Sequence, residues 1–189
     1  NRHPRVNILQ PGAGVGGHCI AVDPWFIVAG APEDAKVIRA AREVNDAKPE
    51  WILRKIRAAA ARCKSVRSAK ATIAVLGLSF KPNIDDLRES PALQIAQSLS
   101  GEAGRRLLVV EPHIEELPPS LASGKLVSLK VALAKADVLA VLVGHAAFHV
   151  LRQTPLRPGL EVVDAVGLFS KASWRHTQST LTRSAVAAA

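Results

Sequence analysis

Several residue types are scarce or missing from this chain, and each shortage narrows the classes of protein that remain. There is no Met and no Tyr, and only two Cys and three Trp occur among the 189 residues. With so few aromatic side chains, platforms on which nucleic-acid bases could stack are scarce. We interpret Cys19 and Cys63, which stand in different contexts, as reduced thiols of a cytoplasmic protein and not as a disulfide. The lack of an initiator Met suggests a fragment or a processed chain.

Long apolar runs are also missing. Even the longest runs, such as residues 138–143, are far too short to span a bilayer, and the start Asn-Arg-His-Pro is not followed by the apolar core of a signal peptide. We therefore predict no membrane partner. Hydrophobic residues still make up 48% of the chain, which is enough for one large domain or for a helical segment plus one domain.

The chain is strongly basic, with a formal net charge of +9. The positive charge is concentrated between residues 36 and 70, in a stretch with helical periodicity. The simplest interpretation of this concentrated charge is a helix face that is exposed to solvent. A surface that handles phosphorylated small molecules and a nucleic-acid surface are the alternatives, and we predict no nucleic-acid partner.

The first part of the chain divides into a loop segment and a helical segment. Residues 1–24 are rich in Gly and Pro, which predicts extended chain and loop. From about Pro32 apolar residues recur at spacings of three and four, which predicts helix, and Pro49 marks a break between two helices. Residues 25–68 are therefore a central helical segment. Its apolar stripe needs a partner, so we expect a homodimer interface there; the stripe consists of Ala35, Ile38 and Ala41.

The second part, residues 69–172, alternates short apolar runs with helical patterns. Such alternation predicts an α/β domain with a doubly wound, Rossmann-like parallel sheet. The predicted strands are residues 72–77, 106–110, 137–143 and 160–164, and the predicted helices are residues 90–99 and 126–134. The composition of residues 173–189 predicts a disordered or weakly helical tail.

A run of glycines precedes one of the two cysteines. Gly14, Gly16 and Gly17 allow positive φ and a close approach of the backbone to a ligand. The thiol of Cys19 on such a loop can attack a bound carbonyl carbon, and Asp23 can then assist proton transfer or activate water. The simpler alternative is a buried Cys that packs as a small hydrophobe.

The same loop formally matches the dinucleotide fingerprint G-x-G-x-x-G over residues 12–17. A true fingerprint follows a strand and opens a helix. Here Pro11 precedes the glycines, and Pro24 interrupts any helix that starts at His18. We therefore predict that this loop is not a cradle for NAD.

Two cations follow the first predicted strand, where ligands of parallel sheets bind. Lys81 and Arg88 stand in this loop, and the planar guanidinium of Arg suits phosphate recognition. The alternative is that both cations only pair with Asp85, Asp86 and Glu89 at the surface.

Two long motifs resemble one enzyme family. Residues 11–24, Pro-Gly-Ala-Gly-Val-Gly-Gly-His-Cys-Ile-Ala-Val-Asp-Pro, resemble the active-site loop of the UDP-glucose/GDP-mannose dehydrogenases. Residues 80–91, Phe-Lys-Pro-Asn-Ile-Asp-Asp-Leu-Arg-Glu-Ser-Pro, resemble the signature of their C-terminal domain. The helical segment between the motifs resembles the family's central dimerisation helix. The detail of the first motif, together with Arg-Glu-Val-Asn-Asp at residues 42–46, is most similar to the branch that oxidises UDP-N-acetyl-D-mannosamine.

The resemblance implies an NAD-dependent, four-electron oxidation of a sugar C6 alcohol to a carboxylate. Cys19 matches the nucleophile that captures the aldehyde and then holds a thioester, and Asp23 matches the carboxylate that assists water and proton transfer. Lys81 matches a lysine that supports the oxyanion and the substrate. Arg88 matches an arginine near the nicotinamide cofactor, and Arg5 resembles the arginine that reaches the substrate of the partner subunit.

The resemblance also implies how the segments are used. Residues 1–24 would carry the active-site loop, residues 25–68 the dimer interface, and residues 69–172 the UDP-sugar site. The substrate-binding residues would be Arg5, Gly14, Gly16, Gly17 and Lys81, and no metal ligand is assigned. We expect this chain to be the substrate-binding and dimerisation part of the enzyme and not to catalyse alone. The alternatives are a non-catalytic UDP-sugar-binding or dimerisation module and a UDP-glucose dehydrogenase.

Overall fold

The computed structural model describes residues 10–63, 71–103 and 105–169. Arg5 and the predicted tail, residues 173–189, lie outside these ranges, as do the last residues of the predicted helical segment. The helices are α1 (Asp23–Gly30), α2 (Lys36–Asp46), α3 (Lys48–Arg62), α4 (Pro91–Ser100) and α5 (Leu129–Lys135). The strands are β1 (Ala71–Leu76), β2 (Arg105–Val110), β3 (Lys125–Leu126), β4 (Val138–Val141) and β5 (Glu161–Asp164). Two 3-10 helices cover Pro119–Leu121 and Ala146–Arg152.

The first helix corrects the sequence analysis. The prediction of loop up to residue 24 and of helix only from about Pro32 was wrong, because α1 already begins at Asp23. Pro24 stands in its first turn, where the missing N–H is not needed. The negative charge of Asp23 lies at the positive end of the helix dipole, which stabilises the helix. α2 in turn begins only at Lys36, after a turn.

The predicted break between the next two helices is confirmed. α2 ends at Asp46, and α3 begins at Lys48 with Pro49 in its first turn. Of the predicted apolar stripe, Ala35 is buried, Ile38 is partly buried and Ala41 is exposed in the single chain. Within the described ranges, no helix is both long enough and apolar enough to cross a membrane.

The five strands form one parallel sheet in the order β3-β2-β1-β4-β5. β1 lies at the centre and pairs with β2 along its whole length, from Ala71 opposite Arg105 to Leu76 opposite Val110. On its other side β1 pairs with β4, and β4 pairs with β5. The chain reverses its winding direction between β1 and β4, so the carboxyl ends of these two strands form the crevice where ligands of such sheets bind.

One predicted helix starts too early in the sequence analysis. The predicted helix over 126–134 was wrong at its start, because Leu126 belongs to β3 and pairs with Val109 of β2. α5 begins at Leu129, where the Ser128 hydroxyl accepts the N–H of Val131 and so caps the helix. The remaining predicted strands and the helix that begins at Pro91 are confirmed to within a few residues.

The core lies in two layers, one on each face of the sheet, so the predicted doubly wound architecture is confirmed. On one face α3 and α4 cover alternate strand residues such as Ile73 and Val75. On the other face α5 and the second 3-10 helix cover Ala74, Leu76 and their neighbours. Burial on both faces explains why the strands are nearly continuous apolar runs.

Several cations of the basic helical stretch pair with carboxylates. Arg57 of α3 contacts both Glu50 and Glu102, at 3.0 and 2.9 Å. Arg62 contacts Glu161 of β5 at 2.7 Å. The pair with Glu50 lies within α3, and the pairs with Glu102 and Glu161 join α3 to the α/β domain. This pairing favours the interpretation of the charge as a helix face.

Candidate active site

The loop between β1 and α4, residues 77–90, lies at the carboxyl edge of the sheet and is called the Lys81 loop below. Its backbone is closed by a hydrogen bond from the N–H of Phe80 to the carbonyl of Asp86, at 3.1 Å. Ser90 ends the loop as the buried N-cap of α4, and its hydroxyl also donates to the carbonyl of Leu78 at 2.6 Å. The loop is therefore fixed at both ends.

The glycines of the first motif allow that motif to pack directly on the Lys81 loop. We call residues 12–22 the Gly loop. A Cβ on Gly16 would lie 2.2 Å from the carbonyl oxygen of Glu89, and a Cβ on Gly17 would lie 2.9 Å from the Phe80 ring. Gly17 also has a φ of 90°. Because only Gly fits such close approaches, the two sequence motifs meet through these residues.

Side chains of α2 form hydrogen bonds with the backbone of the Gly loop. The amide of Asn45 accepts the N–H of Val15 at 2.8 Å and donates to the Val15 carbonyl at 3.3 Å. Arg42 is buried, donates to the carbonyl of Ile20 at 3.4 Å and pairs with Asp46 at 2.6 Å. The stretch Arg-Glu-Val-Asn-Asp, which carried part of the resemblance, thus supports the loop of Cys19.

Cys19 is the first residue and Asp23 the last residue of the turn that leads into α1. The carbonyl of Cys19 accepts the N–H groups of Val22 and Asp23, at 2.9 and 2.8 Å. Both Cys19 and Asp23 are exposed. The thiol of Cys19 is therefore accessible, which a role as nucleophile requires. The alternative, that Cys19 is a buried residue with a packing role, is excluded by this exposure.

The other cysteine has a different environment. Cys63 is partly buried directly after α3, not within it, and its thiol donates to the carbonyl of Asp137 at 3.4 Å. Burial, together with the charges of Glu161 and Asp137, raises the pKa of the Cys63 thiol. Because the thiolate is the reactive form, this makes Cys63 a poor nucleophile.

The cations of the Lys81 loop are both exposed. Arg88 binds the carboxylate of Asp86 through Nε and Nη2, at 3.0 and 2.6 Å, and these hydrogen bonds lower the pKa of Asp86 to about 2. The pKa of Arg88 is raised by the same hydrogen bonds, by the charge of Asp86 and, to a smaller extent, by Cys19. The ammonium of Lys81 lies 5.5 Å from the ring centroid of Phe80.

A buried cluster at the base of the Lys81 loop was not predicted from the sequence. It consists of Ser79 of that loop together with Glu111 and His145, and we call these three residues the polar floor. Glu111 Oε2 accepts the N–H of Leu78 at 2.7 Å, and it lies 3.1 Å from Nε2 of His145. Nδ1 of His145 accepts the N–H of Asn83 at 2.9 Å. The floor thus joins the segments that follow β1, β2 and β4.

The polar floor contains an ionised carboxylate. Burial would raise the pKa of Glu111, but hydrogen bonds from His145 and from the N–H groups of Leu78 and His113 outweigh this effect, and the pKa is lowered. Glu111, His113 and His145 also bring possible metal-ligand atoms within 4.8 Å of one another. Both Glu111 oxygens and both His145 nitrogens already have hydrogen-bond partners, so hydrogen bonding accounts for this cluster.

A cleft of about 310 Å³ lies between the Gly loop, α2 and the start of α4. Its polar lining comes from Arg42, Asn45, Asp46, Glu89 and Gln94. Cys19 and Lys81 are not among its lining residues. The cleft is therefore next to the proposed reactive residues but does not contain them.

The structure brings most of the predicted site residues to one edge of the sheet. The Gly loop carries Cys19 and the Lys81 loop carries Lys81 and Arg88, and the two loops are in contact. Gly14, Gly16 and Gly17 each lie against residues of the second motif, so they have a packing role whether or not they also contact substrate. Arg5 lies outside the described residues.

A helical segment followed by a five-stranded, doubly wound parallel sheet defines an α/β protein with a Rossmann-like domain. The chain belongs to the UDP-glucose/GDP-mannose dehydrogenase family. Residues 74–169 match the UDP binding domain of that family, and residues 1–47 match its central domain. The resemblance inferred from the two motifs is thus confirmed.

Known relatives include enzymes that act on different sugars. The chain is 54% identical to an NDP-N-acetyl-D-galactosaminuronic acid dehydrogenase of Ralstonia nicotianae, over 90% of the chain and 39% of the relative. It is also 54% identical to a UDP-N-acetyl-D-mannosamine dehydrogenase of Escherichia coli, over 89% of the chain and 41% of the relative. A solved UDP-D-ManNAc dehydrogenase from Pyrococcus horikoshii has a TM-score of 0.70 at 29% identity, covering 89% of this chain and 38% of that one. The chain therefore spans about two fifths of the length of these relatives.

Proposed function

We propose that this chain is the substrate-binding and dimerisation part of an NAD-dependent nucleotide-sugar 6-dehydrogenase. The contact of Gly17 with Phe80 carries the proposal, because it joins the loop of Cys19 to the loop of Lys81 and Arg88 at the ligand edge of the sheet. UDP-N-acetyl-D-mannosamine is the proposed substrate and UDP-N-acetyl-D-mannosaminuronate the product. The names of the relatives support an N-acetylated sugar, with UDP-glucose as the alternative.

The proposed chemistry uses the exposed thiol to hold the substrate between two oxidations. The Cys19 thiolate attacks the C6 aldehyde carbon, and the new S–C bond turns the carbonyl oxygen into an oxyanion that the charge of Lys81 stabilises. After the second oxidation the carbon is a thioester. Asp23 then takes a proton from water as the water attacks, and the S–C bond breaks with its electron pair left on sulfur, which regenerates the thiolate. The carboxylic acid that is formed loses its proton to solvent and becomes the carboxylate.

Two molecules of NAD, bound in turn, would supply the two oxidations, each by accepting one hydride from the sugar carbon. The described residues offer NAD an exposed guanidinium, Arg88. Among the described residues the only glycine fingerprint, residues 12–17, lies in a loop, and α1 begins only at Asp23. It therefore does not open a helix, as the glycines of a dinucleotide cradle do. We therefore place the main NAD-binding part outside this chain, which would bind NAD weakly and not turn over alone.

A homodimer is part of the proposal because apolar side chains of the helical segment stay exposed in the single chain. Phe26 of α1 is 71% exposed, and Val37 and Val44 of α2 are 81% and 75% exposed. Val37 and Val44 are two helical turns apart and so lie on the same face of α2, which favours an interaction surface there. Light scattering of the 189-residue chain should show dimers, and a monomer throughout the micromolar range would contradict this interface.

The mechanism is tested with the two cysteines in the enzyme that contains this chain. Cys19→Ser should lower uronate formation on the order of a thousandfold or more, because the nucleophile is lost. Cys63→Ser is the matched control and should leave uronate formation unchanged. Mass spectrometry of the Cys63→Ser enzyme during turnover should show an acyl adduct on Cys19. Normal uronate formation by Cys19→Ser would contradict the mechanism.

The alternatives give different results in the same assays. A non-catalytic module, which the lack of a dinucleotide cradle also fits, would bind UDP but yield no uronate in any context. A UDP-glucose dehydrogenase would have a higher kcat/KM for UDP-glucose than for UDP-N-acetyl-D-mannosamine. The proposed function requires the opposite preference.

A further inference from the structure

The least expected residue of the polar floor is His145, which directly follows the β4 region and is 0% exposed. A fully buried imidazole must have partners for both ring nitrogens. Nδ1 lies 2.9 Å from the backbone nitrogen of Asn83. Nε2 lies 3.1 Å from Glu111 Oε2 and 3.4 Å from Ser79 Oγ.

These partners fix the protonation state of the ring. A backbone N–H can only donate, so Nδ1 must accept, and the ring proton must be on Nε2. Nε2–H then donates to the ionised carboxylate of Glu111, which is the stronger kind of hydrogen bond. The hydroxyl of Ser79 donates to the carbonyl of Lys81 at 2.8 Å. Only the neutral tautomer with the proton on Nε2 satisfies this network.

The contacts of His145 lie on either side of Lys81. The Lys81 carbonyl is held by Ser79, and two residues later the N–H of Asn83 is held by His145. Asn83 has a φ of 63°, and its side-chain oxygen accepts the N–H of Ala146 at 2.8 Å. Reciprocal hydrogen bonds therefore connect the Lys81 loop to the segment after β4.

We propose that His145 is a positioning residue that holds the Lys81 loop in its ligand-binding arrangement, through the hydrogen bond from Asn83 to Nδ1. The inference rests on the proposed function, because it assumes that this loop binds the nucleotide sugar. The alternative is a packing role only, since the ring also lies 5.3 Å from the ring of Phe148 and 4.9 Å from that of His113.

Three substitutions separate these roles in the 189-residue chain. His145→Asn keeps an acceptor near the position of Nδ1, His145→Gln keeps a donor near the position of Nε2, and His145→Phe keeps only the ring shape. His149→Asn, at an exposed position nearby, is the control. The measurements are hydrogen exchange of the Asn83 amide by NMR and the affinity for UDP by calorimetry.

We expect His145→Asn to keep the exchange protection of Asn83 and the UDP affinity close to the original values. His145→Gln and His145→Phe should lose both, each by roughly tenfold or more, because the acceptor for the loop is missing. Equal exchange protection of the Asn83 amide in His145→Asn and His145→Gln would overturn the proposal. So would an unchanged UDP affinity in His145→Phe.

A measurement on the unaltered chain covers the case in which the variants do not fold. The ¹⁵N NMR shifts of the imidazole at neutral pH should show a neutral ring with the proton on Nε2, and a proton on Nδ1 would overturn the proposal. If the unaltered chain does not bind UDP, the proposed function fails and the positioning role fails with it. Loss of Asn83 protection without loss of UDP affinity overturns the positioning role alone.

Discussion

The polar floor and the residues above it differ in almost every physical respect. Ser79, Glu111 and His145 are buried, and hydrogen bonds within the chain satisfy them. Cys19, Asp23, Lys81 and Arg88, which we call the reactive rim, are exposed. The floor fixes the backbone and the rim carries the proposed chemistry. Substitutions in the floor should therefore reduce stability, and at His145 also the affinity for UDP. Substitutions in the rim should reduce binding or turnover at nearly constant stability.

The largest effect on stability is expected for Glu111→Gln. Gln has one acceptor oxygen fewer than the carboxylate, and Oε2 of Glu111 accepts from the N–H groups of Leu78 and Ser79 and from Nε2 of His145. Each buried donor left without its acceptor costs about 1–3 kcal/mol, so the sum should exceed that of the other variants. Urea unfolding at neutral pH measures this loss. Glu115→Gln, at an exposed position, is the control and should unfold at the original urea concentration.

The same variant tests how the free energy of unfolding depends on pH. The folded pKa of Glu111 lies below the ordinary value of 4.5, so its stabilisation is fully present above about that pH and is lost as the pH falls through the lower folded value. Glu111→Gln should therefore flatten the acid side of the stability profile. An unchanged profile would show that Glu111 does not provide this stabilisation.

A smaller loss is expected at the contact between the two loops. Gly16→Ala places a Cβ against the Glu89 carbonyl, at 2.2 Å before any relaxation, and overpacking of this kind costs about 1–3 kcal/mol. Gly30→Ala is the matched control, because nothing lies within 4 Å of its new Cβ. The control should be neutral or slightly stabilised. Equal unfolding curves for both variants would contradict the close packing of the loops.

Lys81→Ala should change stability by only about 0–1 kcal/mol, as is typical of exposed charges. Substrate affinity or turnover should nevertheless fall by about tenfold or more, because a charge-assisted contact with the nucleotide sugar is lost. Calorimetry and thermal unfolding of the same sample measure both quantities. Lys130→Ala, an exposed lysine on α5, should change neither. A destabilised Lys81→Ala chain with normal affinity would show that the residue acts on the fold.

The smallest effect on stability is expected for the pair of Asp86 and Arg88. An NMR titration of Asp86 should give a pKa of about 2, and Arg88→Gln should return it toward 3.8. Because the folded pKa is the lower one, the contribution of the pair is present above about pH 3.8 and is lost only as the pH falls toward 2. A pKa near 3.8 in the unaltered chain would contradict the pair.

The sequence predicted the sheet and the reactive rim because both have strong local signals. Apolar runs that end in Gly or Glu-Pro mark buried strands, and the two long motifs contain Cys19 and Lys81. α1 was missed because Pro24 was interpreted as a helix breaker, although Pro favours the first turn. β3 was missed because a strand of two residues has no periodicity to detect.

The polar floor was missed because its members are far apart in the sequence and each is unremarkable alone. Glu111 and His145 follow β2 and β4 closely, and the carboxyl ends of neighbouring parallel strands converge. That convergence was the available signal for their proximity. Which atoms would meet could not be predicted, since it depends on the register of β1 with both of its neighbours.

The left-handed conformation of Asn83 has a consequence for how sequences of this kind can diverge. The position requires a residue that tolerates a φ of 63°, offers a backbone N–H to His145 and carries a side-chain acceptor for Ala146. Asn and Asp meet all three conditions, whereas Gly loses the acceptor and Pro loses the N–H. Because His145 accepts the backbone N–H of residue 83, its hydrogen bond is lost only when residue 83 is Pro or is a residue that cannot keep the left-handed conformation. Across natural sequences, residue 145 should therefore stay His where residue 83 is Asn, Asp or Gly, and should change where residue 83 is Pro or a β-branched residue.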